Sequence, residues 1–129
     1  MFFVKSIKKR GEDMTGQEAF QELGFPYEEL VARFSGNEKL AERFLKKFVE
    51  DKTYGALCQA IEEDDYAKIE GFAHTLKGVA ANLGLQSIFH YAEAVVKAVR
   101  QKQYSEIPPL FELLQQSYEQ VIFVLKQLD

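Results

Sequence analysis

The sequence is poor in the residues that hold small folds together by covalent or metal links. It has no tryptophan, two histidines and one cysteine, Cys58, among 129 residues. A single cysteine excludes an internal disulfide, and two histidines exclude a histidine-rich metal centre. Because Cys58 lies among apolar residues at helical spacing, we expect it to be buried and without a chemical role.

The sequence also lacks an excess of positive charge and a long apolar run. Lys and Arg number 16 against 20 Asp and Glu, which gives a net charge of −4. A chain of this charge offers no basic face to the phosphates of a nucleic acid. Apolar residues make up 47% of the chain, but no uninterrupted run approaches the roughly 20 residues of a membrane-spanning helix.

The length and the N-terminal residues predict one domain preceded by an extension. A chain of 129 residues buries about two-thirds of its unfolded surface on folding, which is enough for a core of its own. Residues 1–13 (MFFVKSIKKRGED) place apolar residues before basic ones, the reverse of a secretory signal. We therefore expect a disordered extension over 1–13, a helical domain over 14–129 and a cytoplasmic location. A weak membrane-surface arm is the alternative for the extension.

The first half of the domain shows helical periodicity and helix-capping signals. The run Thr15-Gly-Gln-Glu18 has the form of a capping box for a short helix. Pro26 suits the first turn of a second helix, and Asn37 suits the N-cap of a longer third segment. The apolar phase of that segment slips at residues 51–53, which predicts a bend or two separate helices.

The second half predicts three further helices. The acidic run 62–65 suits the N-terminus of a helix over 66–83, although it could instead steer a partner. A helix from about residue 85 follows, and the last begins at Pro108 and Pro109 and keeps apolar spacings near 3.5 through Leu128. Short connections predict an all-α, antiparallel, up-down four-helix bundle with short additional N-terminal helices. One chain supplies every packing face, so we expect a monomer rather than a coiled-coil dimer.

The helix predicted over 66–83 has an unusual surface. At about 100° per residue its apolar side chains form one stripe. The members of this stripe are Ile69, Phe72, Ala73, Leu76, Val79, Ala80 and Leu83. His74 lies about 140° from Ile69 and therefore outside the stripe. Small residues flank His74 on that face, namely Ala67, Gly71, Gly78 and Ala81.

These small residues favour a functional interpretation of His74. A glycine inside a helix costs roughly 1 kcal/mol relative to alanine, so Gly71 and Gly78 call for a reason other than helix stability. Close approach of a partner's backbone is such a reason. An exposed imidazole is largely neutral near pH 7 and can act as a nucleophile without a dedicated base. Lys77, three residues further on, can reach an anion on that imidazole, and phosphate is the anion we expect.

The run His74-Thr-Leu-Lys77-Gly78, with Leu83-Gly84 ending the helix, strongly resembles the motif of the histidine-containing phosphotransfer (Hpt) domain. The resemblance covers about residues 27–128, and the stretch 48–65 is similar to the segment that leads into the histidine helix of small stand-alone bacterial members. These domains are relay modules of multistep two-component signalling.

The resemblance implies roles for three residues and a set of partners. His74 would accept the phosphoryl group through Nε2, Lys77 would steady it, and Gly78 would let a receiver domain approach. The partners would be response-regulator receiver domains and a hybrid sensor kinase. No cofactor is expected in this chain, because the Mg²⁺ would belong to the receiver. Some members carry a glutamine on the next helix, where this chain reads Val95-Val96-Lys97.

Other chemistries fit the sequence less well. A di-iron bundle needs Glu-x-x-His pairs, whereas Glu70 precedes His74 by four residues and no second pair exists, so no metal site is predicted. The sequence contains no glycine-rich phosphate loop and no paired nucleophile and base, so neither a kinase nor an autonomous hydrolase is expected. The prediction is a phosphocarrier without catalysis of its own. A non-phosphorylated adaptor with the same fold, binding a receiver or a kinase, remains the alternative.

Overall fold

Helices make up most of the structure. The computed structural model describes residues 14–128. Its α-helices are α1 (Gly16–Leu23), α2 (Tyr27–Arg33), α3 (Glu38–Val49), α4 (Thr53–Glu62), α5 (Tyr66–Asn82), α6 (Gln86–Arg100) and α7 (Ile107–Leu125), with a 3₁₀ turn at Tyr104–Glu106. The predicted all-α class is confirmed. The predicted extension over residues 1–13 lies outside the described residues.

Side-chain caps set the beginnings of three helices. Thr15 and Glu18 form a reciprocal capping box at α1. Asn37 Oδ1 accepts a hydrogen bond from Leu40 N at 3.0 Å at the start of α3. Asp65, the last residue of the acidic run, accepts from Lys68 N at 3.1 Å and caps α5. These contacts satisfy amide groups that have no partner within the helix.

The phase slip at residues 51–53 separates two helices. Asp51 lies between α3 and α4, and its Oδ1 accepts a hydrogen bond from Thr53 N at 2.8 Å. The long segment expected after Asn37 is thus divided into two helices, which is one of the two outcomes predicted from the sequence. Pro26 immediately precedes α2 as its N-cap instead of lying in the first turn.

The bundle is built around α5, which packs between α4 and α6, while α7 packs on the other side of α6. Aromatic rings connect α7 with α3 and α4. The Tyr54 ring of α4 stacks on Tyr118 of α7 with centroids 3.8 Å apart and lies 5.9 Å from Phe111. Phe48 of α3 contacts the same Tyr118 ring edge-on. Successive helices of the bundle are joined by short turns, which gives antiparallel neighbours.

The two N-terminal helices cover one end of the bundle. Phe20 of α1 is fully buried and contacts the rings of Phe25 and Tyr27 edge-on. The end of α7 differs from the sequence prediction, because the helix stops at Leu125 and Leu128 lies beyond it. The residues after α7 pair with Met14, the first residue that the structure describes. Met14 N donates a hydrogen bond to Gln127 O at 2.8 Å.

Cys58 is half-buried instead of fully buried. Burial raises the pKa of its thiol, although a hydrogen bond with Tyr54 acts in the opposite direction. A raised pKa keeps the sulfur in the less reactive thiol form. None of the helices within residues 14–128 is both long and apolar enough to cross a membrane.

Gly84, in the turn between α5 and α6, is required by the backbone. Its φ is +68°, and a Cβ atom there would lie 3.3 Å from Phe20 Cε2. We predict that Gly84→Ala lowers the free energy of unfolding by about 1–2 kcal/mol, the cost of a left-handed alanine. Urea unfolding followed by circular dichroism measures the change.

The control for this prediction is Gly55→Ala in α4, where a Cβ would meet nothing within 4 Å. That substitution should stabilise the protein by about 0.5–1 kcal/mol, because alanine is the better helix former. Equal effects of the two substitutions would contradict the assigned role of Gly84.

Candidate functional site

The packing of α5 determines where His74 lies. Ile69, Ala73, Leu76 and Ala80 are buried to 1% exposure or less, and they face α4, α6 and the rest of the core. His74 lies on the other side of the helix and is exposed. The predicted apolar stripe is therefore the buried side of α5, and the imidazole is open to solvent.

His74 lies in an open surface concavity of about 590 Å³. The residues that line it are Ala67, Glu70, Gly71, His74, Thr75, Gly78 and Arg100. All but Arg100 belong to α5, so the concavity is a strip of this helix bordered by the C-terminal end of α6. A surface of this shape is accessible to a large partner.

Three of the four predicted small residues line this concavity. Ala67, Gly71 and Gly78 are exposed, whereas Ala81 is half-buried and outside the lining. A Cβ atom built at Gly71 or Gly78 would meet nothing within 4 Å. The fold itself thus gives no steric reason for glycine at either position. The space in front of His74 is free for another molecule.

Lys77 lies one turn from His74 on the same unbroken helix and is half-buried. It is not one of the residues that line the concavity. Residues three apart on a helix are neighbours with Cβ atoms about 5–6 Å apart, so the ammonium remains within reach of a group on the imidazole. The role predicted for Lys77 depends on that reach.

The structure adds two residues that the sequence had not indicated. Arg100, in the last turn of α6, forms an ion pair with Glu70 of α5, with 2.6 Å between Nε and Oε2. Both side chains line the concavity beside His74. A basic residue near a helix C-terminus is favoured by the helix dipole, which was the only local signal for Arg100.

The stretch Val95-Val96-Lys97 presents no polar group at the centre of the α5–α6 contact. Val95 and Val96 are buried, and Lys97 is exposed. Helix α6 therefore reaches the concavity through Arg100, one turn beyond Val96. His90, the other histidine, is exposed on α6 with its ring 5.0 Å from that of Tyr91.

A second, apolar groove of about 250 Å³ adjoins the C-terminal half of α5. Phe34 and Phe44 stack at its edge with centroids 5.4 Å apart, and Val79 and Asn82 of α5 form part of its wall. Gly78 of the first concavity directly precedes Val79. Both surfaces thus include residues of α5, and Phe44 of the second groove is 39% exposed.

The described residues contain no group of three or more His, Cys, Asp or Glu side chains that could hold a metal ion. The arrangement around His74 consists of one accessible imidazole ring, small neighbours, the Glu70–Arg100 ion pair in the same concavity and Lys77 one turn further along α5. A nucleophilic ring with cations nearby is an arrangement that can hold an anionic group.

One known family matches most of this chain. The Hpt domain model matches residues 40–122, which include α4, α5 and α6, and most of α7. No curated protein and no solved structure matches the chain with significant similarity. The matched segment contains His74 and every residue that lines its concavity. Because the family model covers well over half of the chain, the protein belongs to the Hpt domain family.

Proposed function

We propose that this protein carries a phosphoryl group between receiver-domain aspartates, with His74 as the acceptor. The observation that carries the proposal is the exposed imidazole on a helix face where Gly71 and Gly78 leave open space. Membership of the Hpt family makes histidine phosphotransfer in a phosphorelay the expected activity. The specific acceptor, its neighbours and the partners are the proposed part.

The transfer requires little more than a positioned nucleophile. The Nε2 lone pair of neutral His74 attacks the phosphorus of a receiver aspartyl phosphate in line with the departing carboxylate oxygen. The N–P bond forms as the P–O bond to aspartate breaks, and the aspartate leaves as a carboxylate. Attack by a second receiver's aspartate reverses these steps and regenerates the imidazole. Positioning and charge compensation supply most of the catalysis of such a reaction.

Lys77 is the proposed cation for the transferred group. A phosphoryl group carries nearly two negative charges near neutral pH. The Lys77 ammonium on the adjacent turn compensates part of that charge as the group arrives. Its half-buried stem restricts the positions of the ammonium, which favours this contact.

The receiver is expected to dock on the small-residue face of α5 and on the neighbouring aromatic groove. Gly71 and Gly78 allow its backbone to approach the imidazole, and Phe34 and Phe44 offer apolar area beside it. An apolar centre with polar surroundings is typical of protein interfaces. The Mg²⁺ needed for transfer is expected in the receiver, and a hybrid sensor kinase is the expected source of the phosphoryl group.

This role is that of a phosphocarrier without independent catalysis, because Hpt domains carry phosphoryl groups rather than turn over substrates. A monomer in the cytoplasm, where receivers act, stays a prediction. The alternative function is an adaptor that binds the same partners without phosphorylation. Incubation with a radiolabelled phosphoreceiver, followed by a test of the label's acid lability, distinguishes a phosphohistidine carrier from an adaptor.

We predict that His74→Gln abolishes uptake of label from a phosphorylated receiver. Glutamine keeps a polar side chain on the exposed face but lacks the ring nucleophile, so the helical circular dichroism and the melting temperature should hardly change. The matched control is His90→Gln, which removes the other exposed histidine. Uptake by the His74 variant, or its loss in the control alone, would refute the assignment of the acceptor.

Lys77→Ala should slow the transfer by about tenfold, since a charge-assisted contact of about 1.5 kcal/mol is lost. Rapid-quench measurement of label transfer gives the rate, and the site of labelling should remain His74. Lys46→Ala, which removes an exposed lysine of α3, serves as the control. Equal rates for the two variants would show that Lys77 does not act on the phosphoryl group.

Two substitutions at Gly78 separate stability from docking. Gly78→Ala should raise the free energy of unfolding by about 0.5–1 kcal/mol, because a Cβ there meets no neighbouring atom. Gly78→Glu should fold normally but weaken receiver binding by roughly tenfold or more, since its side chain fills the approach to His74. Isothermal titration with a receiver measures the affinity. Unchanged binding of the glutamate variant would remove the close-approach argument.

A further inference from the structure

The ion pair between Glu70 and Arg100 lies at the edge of the concavity that contains His74. Glu70 Oε2 and Arg100 Nε are 2.6 Å apart. The side chain of Glu70 is 35% exposed and that of Arg100 is 56% exposed. Glu70 belongs to α5 and Arg100 to the last turn of α6. The pair thus joins the two helices at the place where the phosphoryl group would be carried.

The guanidinium of Arg100 has donors that this pair does not use. Arginine offers five N–H groups, and the contact with Glu70 is made through Nε. Within residues 14–128 the structure records no second hydrogen bond or ion pair for Arg100. Its terminal nitrogens are therefore available to an anion in the concavity that Arg100 lines with His74.

Glu70 places a negative charge next to the phosphorylation site. It precedes His74 by four residues, so the two side chains are neighbours on the surface of α5. Glu70 and Lys77 lie about 40° and 60° from His74 on the same side of the helix, one turn toward either end. A phosphoryl group on His74 would meet the Glu70 carboxylate, Lys77 and Arg100 as its charged neighbours.

We propose that Arg100 is a second cation for the phosphoryl group, held by Glu70 while His74 is unmodified and released to the phosphoryl oxygens once His74 is phosphorylated. This proposal rests on the proposed function of His74. Arg100 contacts Glu70, which lies one helical turn, about 5.4 Å along the axis, before His74, so the guanidinium lies on the same side of α5 as the imidazole and lines the same concavity.

The direction of the exchange follows from charge. Glu70 offers one negative charge, whereas a phosphoryl group offers nearly two and three acceptor oxygens. Arginine binds phosphate in a bidentate manner, which favours the phosphoryl group over a carboxylate contact made through Nε alone. The carboxylate that loses its partner is partly exposed and can be hydrated.

The ionisation of the phosphoryl group on His74 tests this proposal. Phosphoramidate, a small phosphoryl donor, is used to phosphorylate the full chain, and ³¹P NMR follows the titration of the phosphohistidine between about pH 5.5 and 9. A cation in contact stabilises the dianion and so lowers the pKa of the phosphoryl group. Arg100→Gln should therefore lower its acid dissociation constant by roughly two- to fivefold, the range of exposed ion pairs.

Charge-matched controls make the result specific. Lys97→Gln removes one exposed positive charge from the same helix outside the concavity and should change the dissociation constant much less than Arg100→Gln. Glu70→Gln should raise the constant, because it removes both the competitor and the repulsion. Arg100→Lys should retain part of the wild-type effect, because lysine keeps the charge but not the bidentate contact. In ¹⁵N-labelled protein, the Arg100 Nε–H resonance should shift upon phosphorylation.

The outcomes distinguish the proposal for Arg100 from the proposed role of His74 as the phosphoryl acceptor. If wild-type protein gives no phosphohistidine signal, or if the signal survives in His74→Gln, the acceptor assignment fails and the role of Arg100 fails with it. If the signal is present but Arg100→Gln and Lys97→Gln titrate alike, and the Arg100 resonance does not move, only the exchange is refuted. Circular dichroism of each variant verifies that the fold is retained.

Discussion

The burial of α5 between α4 and α6 is the constraint on which the rest of the site depends. Four side chains of α5 are almost completely removed from solvent, namely Ile69, Ala73, Leu76 and Ala80. Each large apolar side chain contributes about 1.5–3 kcal/mol when buried. A rotation of α5 that brought His74 inward would expose these side chains, so the core fixes the imidazole on the outer face. The accessibility of the site is thus a consequence of packing elsewhere in the bundle.

The glycines of this hairpin belong to two physical classes. Gly84 is needed by the fold, because the turn between α5 and α6 has a positive φ and Phe20 packs against it. Gly71 and Gly78 have ordinary helical surroundings with open space, so the fold loses stability by keeping them. Gly55 of α4 is equally open, so Gly71 and Gly78 bear on docking only because they flank the exposed His74. The proposed docking of a receiver therefore rests on the position of these two glycines beside the imidazole.

Features decided by short stretches of chain could be predicted from the sequence, and features decided by helix register could not. The caps at Thr15, Asn37 and Asp65 act within three residues, and the buried side of α5 follows from periodicity alone. The roles of His74 and Lys77 stay predictions. The contact of Glu70 with Arg100 spans 30 residues and depends on how α6 returns along α5. The early end of α7 likewise reflects a long-range pairing, that of Met14 with the C-terminal residues.

The charge close to His74 differs from the charge of the whole chain, and this difference bears on the proposed phosphoryl group. The chain has a net charge of −4, which by itself disfavours an additional anion. Exposed charges beyond about 8–10 Å are largely screened at physiological salt, so distant carboxylates contribute little. Near the imidazole, Arg100 balances Glu70 and Lys77 adds one positive charge. Glu70 is the only carboxylate among the described residues that line the concavity, so the lining is balanced in charge and Lys77 lies just outside it. An acidic protein can in this way present a surface at His74 that does not repel the proposed phosphoryl anion.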